Sequence, residues 1–491
     1  MKALAKGLER LKKIITVLIG QGLNALISFL MMPYLARSLT KVDYANYGQT
    51  LLVVASAIAI LAAGFNKSLF VFLADEKRDK DRTVSGNLMV GIGLSVLLSV
   101  LIYFSAEAIA AWFGNMDLVQ YIRIYCWTCP FIIPYYALNS LLVFSDKVKE
   151  STQIAVISNL IKVSGLFVAI QFYASLTYVF YVLVAVGLLQ FIWTLGTSYS
   201  LWSVKMKGAW KLGIGQLRIG LPLGLSAVMG LLITKMDGLM ISTLMSQEAY
   251  AEFRNGAWEI PLIGTLYASI STIILPEVAK LYSSKNFTEI VRLKSLAIVN
   301  TAMVTVPILV FLLVNSKVLV ISLFSSSYEA SWPVFAIFNL TLLIRINDYS
   351  DILVSSAKTR FISYFYAISL SLNVILNLVF IHFWGIYGAA AATVLSIAVL
   401  AILQARKSID ILSTGFAELF RPAEILKVML LSLLCIGFTY LITWPLDVSP
   451  LTRSIIMGLL YFPLIGGIFV KRKMFHPLVL EKLDLRRYLK K

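Results

Sequence analysis

A hydrophobic pattern that occurs twice constrains this chain more than any other feature. About fourteen apolar stretches of membrane-spanning length run from Ile14 to Val470, and the first six match the next six. A span needs roughly 20 mostly apolar residues to cross ~30 Å of hydrocarbon. Backbone polar groups in lipid must be satisfied within the segment, and these stretches are too long and too evenly apolar for barrel strands. The expected fold is therefore all-α, a polytopic membrane protein of about fourteen transmembrane helices. The expected spans are 14–36, 47–73, 84–105, 118–143, 152–173, 177–201, 217–245, 251–275, 293–314, 332–357, 361–383, 385–405, 425–445 and 452–470.

Composition agrees. Hydrophobic residues make up 59% and charged residues 14%, against about a quarter charged in soluble domains. The net charge of +18 is not a nucleic-acid signature, because the basic residues sit at span ends and, in a smaller group, inside spans. Three cysteines, all in apolar segments, exclude a disulfide scaffold. The first apolar run, preceded by Lys2, Lys6, Arg10, Lys12 and Lys13, is too long for a signal-peptide core and reads as a retained helix.

Basic connections alternate with nearly uncharged ones. Lys77, Arg78, Lys80 and Arg82 fall in one, Lys205, Lys207 and Lys211 in another, Lys358 and Arg360 in a third. The positive-inside rule puts these, and both termini, in the cytoplasm. An even number of spans follows.

The duplication is visible in residues. Leu39–Tyr47 (LTKVDYANY) follows the first span, and Leu244–Phe253 (LMSQEAYAEF) follows the seventh. Asp43 matches Glu248, and Tyr44-Ala45 matches Tyr250-Ala251. Ile157-Ser158 in span five echoes Ile368-Ser369 in span eleven. Six spans per repeat is an even number, so two pseudo-symmetric six-helix lobes with an axis along the membrane normal are expected. The expected layout is an N-lobe over 1–201, an interlobe linker over 202–216 and a C-lobe over 217–405. A linker and an extra helix pair over 406–470 follow, then a basic cytoplasmic tail over 471–491. Trp210 and Leu212 among lysines predict an interfacial amphipathic piece in the linker.

Asn373-Val-Ile-Leu-Asn377, followed by Gly385-Ile-Tyr-Gly388-Ala-Ala-Ala-Ala-Thr393, resembles the polysaccharide flippases, as does the Leu-x4-Tyr-x2-Tyr turn after span one. These are the Wzx-type O-antigen and polysaccharide members of the multidrug/oligosaccharidyl-lipid/polysaccharide (MOP) exporter superfamily. The resemblance covers about 1–405. It implies two lobes enclosing a cavity lined by spans one, two, seven and eight. It also implies export of a polyprenyl-diphosphate-linked oligosaccharide across a bacterial cytoplasmic membrane.

An ionisable group at the bilayer centre costs from ~2.5 kcal/mol upward, so such residues are rarely incidental. In this chain they are Lys67, Arg123, Lys162, Lys235, Asp237, Arg254, Glu259, Arg345, Asp348 and Asp351. Cations outnumber acids, and a positive cavity attracts an anionic head group. Arg offers a phosphate two parallel hydrogen bonds and Lys a point charge. Lys67, Lys235, Arg254 and Arg345, with Lys162 and Arg123, are the candidate substrate contacts. Against this stand snorkelling lysines and structural pairs; Arg345 and Asp348, three apart in a continuous span ten, would pair along the helix.

Asp237, Asn373, Asn377 and Thr393 could supply oxygen ligands to a small hard cation, a tentative sodium site. The lipid II flippase branch of the resembled superfamily carries its sodium site at comparable places. Asn377 is neutral where that branch has an acid, which predicts a weaker site. Polar glue between helices is the competing reading. Asp348 is a further candidate for coupling. Cys126-Trp-Thr-Cys129 is formally C-x-x-C but has no partner ligand nearby. Pro261 and Gly264 are candidate bending points of span eight.

The expected protein is a non-enzymatic, monomeric flippase working by alternating access. It needs no cofactor beyond a coupling ion, Na+ or H+, and binds no nucleic acid. Its partners are the bilayer, the lipid-linked oligosaccharide and polysaccharide polymerase machinery. The alternatives are a multidrug/cation antiporter, which would want an acidic cavity, and a membrane glycan polymerase or ligase, which would want a charged outer loop.

Overall fold

The structure is a computed structural model. It describes residues 24–75, 77–258, 274–347 and 349–472, with Gly22, Tyr267 and Met474. The side chains at 63, 66, 67, 222, 223 and 226 lie outside that description. So do Glu259, Pro261, Gly264, Asp348, most of the expected first turns of span one and most of the basic tail. The secondary structure of the described residues is helical, with no strand among them.

Among the described residues, ten helices are long and apolar enough to cross a membrane. Two expected spans are fused in one of them, α15 (Arg360–Leu412), where Gly385 at φ 56° and ψ −135° interrupts the helix. Only glycine adopts such a conformation without strain, so the predicted break between spans eleven and twelve is a backbone event at one residue. Of the other expected spans, 14–36 and 251–275 are described only in part, and 332–357 is not one helix.

Two compact units divide at Ala251/Glu252. The first holds α1 (24–38), α2 (Lys41–Leu73), α3 (Lys80–Trp112), α4 (Leu118–Tyr125), α5 (Cys129–Phe144), α6 (Val148–Tyr173), α7 (Leu176–Ser198) and α8 (Ala209–Leu244). Its core includes Val54, Ile58, Ile102, Ile122, Cys126, Cys129 and Ile133. The C-x-x-C cysteines are thus packing residues, with free thiols.

The duplicated text is a duplicated helix start. Thr40 caps α2, its hydroxyl accepting the Asp43 amide at 3.0 Å. Ser246 precedes α9 (Gln247–Gly256) and accepts the Ala249 amide at 3.2 Å. In both, an acid stands in the first turn, where the helix dipole favours it.

Residues 209–216 do not form a separate interfacial piece. They are the first turns of α8, and only 202–208 is non-helical. α8 lies against α2 and α3 through glycines. A Cβ on Gly64 would overlap the Gly220 carbonyl, and one on Gly86 would overlap the Ala209 carbonyl. Such contact maximises packing where the surrounding solvent is itself apolar. Asn87 donates to Gln216 at 2.5 Å, and Gln216 donates to the Thr83 carbonyl at 3.0 Å, so both amide nitrogens are served from across the seam. At the mouth of the seam Lys205 meets Asp79 at 3.2 Å and Asp81 at 2.9 Å.

The second unit runs on through α10 (274–283), α11 (Phe287–Phe324), α12 (Ser331–Asn339), α13 (Thr341–Ile344), α14 (Asp351–Ser355), α15, α16 (Phe416–Phe420), α17 (Pro422–Thr443) and α18 (Pro450–Lys471). The extra pair, α17 and α18, packs on α11. Tyr461, fully buried, donates to the Pro307 carbonyl at 3.2 Å.

Candidate functional site

Span ten was expected to be continuous, but it unwinds. α13 ends at Ile344, and the chain re-enters helix at Asp351. The intervening text, Arg-Ile-Asn-Asp-Tyr-Ser, is rich in side chains that compete for backbone groups and so disfavour helix interiors. Local hydrogen bonds replace the helical ones. The Tyr349 hydroxyl donates to the Ile344 carbonyl at 2.8 Å, and Asp351 Oδ1 accepts the Ile352 amide at 2.7 Å. Arg345 lies just past the end of α13, and Asp348, its expected partner along the helix, lies outside the described residues. Irregular backbone at membrane depth is tolerated where it lines a cavity or is buried in protein, and here it lines one.

That cavity, of ≈ 460 Å³, lies within the second unit. Lys294, Arg345, Asn347, Asp351 and Gln404 are among its walls, with Tyr267, Tyr349 and Tyr366 beside them. Lys294 Nζ stands 2.5 Å from Asp351 Oδ2, and both side chains are almost entirely buried. Two charges removed from water are tolerable only as a pair. Sequence reasoning passed over Lys294. It follows Arg292 at the start of a span and reads as one more interfacial lysine; the signal that it is not is the apolar run that begins beside it at Leu293.

A second polar group lies on α15, on either side of the Gly385 break. Asn373 donates to the Thr393 hydroxyl at 3.1 Å. Asn377 donates to the Asn373 carbonyl at 2.9 Å and to its Oδ1 at 3.2 Å, while Ser369 donates to the Ser396 carbonyl at 2.8 Å. All five are fully buried. The structure thus brings Asn373, Asn377 and Thr393 together, with the two amide nitrogens donating within the group. Asp237 is buried on α8, in the first unit.

The remaining candidates are scattered. Lys235 is exposed on α8, Lys162 half-buried on α6 and Arg254 half-buried on α9. Arg123 is engaged by Glu107 at 2.8 Å and lies 5.2 Å from the Tyr103 ring centroid. The side chain of Lys67, and Asp348 altogether, fall outside the described residues. No group of three or more metal-ligating His, Cys, Asp or Glu side chains occurs among the described residues.

Similar solved structures share this architecture. A lipid II flippase MurJ in an inward closed conformation superposes with a TM-score of 0.76 at 19% identity, over 94% of this chain and all (100%) of that one. An inward-facing multidrug resistance MATE family transporter of the MOP superfamily gives 0.65 at 14% identity, over 81% and 98%. A MOP superfamily transporter from Pyrococcus furiosus, described as having a binding pocket of reverse polarity, gives 0.57 at 14%, over 82% and 94%. No protein of curated function matches the chain in sequence. Long apolar helices, a glycine-broken pair and an unwound span lined by charge make this a multi-pass membrane protein with the MOP transporter fold. The chain belongs to the polysaccharide biosynthesis protein family, which matches residues 10–282.

Proposed function

We propose that this protein is a flippase that carries a polyprenyl-diphosphate-linked oligosaccharide from the inner to the outer leaflet of a bacterial cytoplasmic membrane, for O-antigen or related surface polysaccharide assembly. The observation that carries the reading is the coincidence of a polysaccharide biosynthesis family with membrane-embedded cations, Lys294 and Arg345, at an unwound helix beside a cavity. Broken helices in transporters are where substrate and coupling ions are held. A diphosphate suits cationic groups; a cationic drug does not. No bond need be made or broken, so the protein is not an enzyme on this reading. Alternating access is driven by the potential or by a coupled cation, with Asp237, Asn373, Asn377 and Thr393 as the ion's candidate ligands. In an inside-negative field, outward movement of each negative charge releases ~2.3 kcal/mol per 100 mV. Both termini face the cytoplasm, and the polymerase machinery receives the product.

The test is complementation in a bacterium deprived of its own oligosaccharide flippase, at matched membrane expression. Wild type restores surface glycan, and Lys235→Ala and Arg345→Ala do not. Full activity of both variants would remove the cationic contacts from the mechanism.

A further inference from the structure

A groove of ≈ 570 Å³ runs between α2, α3 and α8, within the first unit. Only hydrocarbon side chains and glycines line it, among them Leu97, Leu101, Leu221 and Leu225. These four leucines are exposed. In a membrane the groove therefore opens on hydrocarbon, and its side chains offer a polar ligand no hydrogen bond. A chain of methylenes fills such a groove; left unfilled, its lining would lose dispersion contacts. From Leu217 to Val228 the α8 wall rises ~16 Å, about half of the ~30 Å hydrocarbon core. That is the depth of one leaflet.

One end of the groove is marked by charge. Arg218 stands three residues before Leu221 and seven before Leu225, so the three share a face of α8. Lys211 stands seven residues before Arg218, on the same face and nearer the start of the helix. Both cations are exposed, and neither pairs with an acid among the described residues. Their long stems can run along the helix and carry the charge to the membrane surface. The basic connection that precedes α8, with Lys205 and Lys207, puts this end at the cytoplasmic face by the positive-inside rule.

A hydrocarbon groove one leaflet deep, with unpaired cations at its surface end, complements a lipid with an anionic head and an acyl chain. We propose that the α2–α3–α8 groove binds an anionic glycerophospholipid of the cytoplasmic leaflet, its acyl chain along α8 and its phosphate at Arg218 and Lys211. A polyisoprenoid tail is several times too long for a groove of this depth. A second copy of this chain, with a net charge of +18, brings no surplus of anion to the two cations. The groove includes the Gly64–Gly220 crossing, so the bound lipid stabilises the α2–α8 seam. The inference rests on the membrane embedding of these helices and not on the flippase reading.

The experiment is native mass spectrometry of the purified, delipidated full chain, titrated with phosphatidylglycerol and, separately, with phosphatidylcholine of the same acyl chains. Melting temperatures are read alongside. Wild type binds phosphatidylglycerol about fivefold or more tightly than phosphatidylcholine, and its melting temperature rises more with the former. Arg218→Gln loses most of that preference, and Arg218→Lys keeps it. Leu221→Trp, which fills the groove from its exposed rim, weakens both lipids about fivefold or more. Leu434→Trp, on the exposed face of α17, binds both as wild type does. Equal binding of the two lipids by wild type, or an unchanged preference in Arg218→Gln, overturns the proposal. Displacement of phosphatidylglycerol by equimolar undecaprenyl phosphate overturns it too, by giving the groove to a polyprenyl tail. A dimer that Leu221→Trp dissolves would give the groove to a second copy of the chain and overturn it as well.

Discussion

Lys294 on α11 and Asp351 at the start of α14 form a 2.5 Å ion pair sealed from solvent, across 57 residues of sequence. The pair fixes the start of α14 to α11 at the place where span ten has lost its helical hydrogen bonds. It holds in register a connection that local backbone bonding alone would leave loose.

Breaking that pair singly is expected to be far worse than removing it. Lys294→Met strands a buried carboxylate and should cost about 3–5 kcal/mol, as should Asp351→Leu. The double variant should recover most of the loss. Thermal unfolding in detergent, run as a double-mutant cycle, measures the coupling. A loss in the double variant equal to the sum of the two single losses would mean the pair contributes nothing as a pair.

The α2–α8 seam should not accept a side chain at its crossing. Gly64→Val must push α8 away from α2, because the new atoms would overlap the Gly220 carbonyl. The expected loss is about 1–3 kcal/mol or more. Gly437→Ala on α17, with nothing within 4 Å of the added carbon, should leave the melting temperature unchanged or slightly raised.

At the mouth of the seam the 202–208 connection is tied down by charge. The Arg82 amide, and then Lys205, hold the Asp79 carboxyl below the ordinary carboxylate range. Hydrogen bonds that Lys205 donates to Asp81 and then Asp79 raise its pKa above the ordinary value. A lowered acid contributes above its unfolded value of about 3.9, and its contribution is lost as pH falls through the folded value. A raised lysine contributes fully below about 10.4, and its contribution is lost as pH rises through the folded value. Amide exchange of 203–207 should therefore stay slow between about pH 5 and 9 after correction for intrinsic rates, and lose protection below about pH 3. These groups are exposed, so high salt should weaken the tie at every pH.

The polar group on α15 offers a test of sodium coupling. Asn377→Asp places a negative charge beside Asn373 and Thr393, and should strengthen sodium-dependent thermal stabilisation about tenfold in apparent affinity. Asn373→Ala should abolish it. Stabilisation by sodium that is indifferent to both changes would make these side chains interhelical glue alone.

Much of this architecture is legible in the text of the chain. Spans follow from apolar length, and the break at Gly385 follows from a glycine between two such lengths. The Thr40 and Ser246 caps follow from the repeated motif. Asn373 and Asn377 fall on one helix face because they are four apart. These are local facts, and the bilayer makes them decisive, because it forces every apolar stretch of that length into helix.

Tertiary structure alone decided which charges meet. Asp351 is close in sequence to Arg345, yet it is Lys294 that approaches within 2.5 Å of it in space. Span ten reads as continuous by hydropathy, which registers its apolar residues and not its freed carbonyls. The packing of α8 on α2 and α3 depends on glycines at 64, 86, 213 and 220, which let the backbones touch. Sequence by itself determined the solvent this protein lives in, the secondary structure that solvent demands and the family it belongs to. The partner of each buried charge depends on contacts between segments tens of residues apart, and no local pattern encodes a distance of that kind.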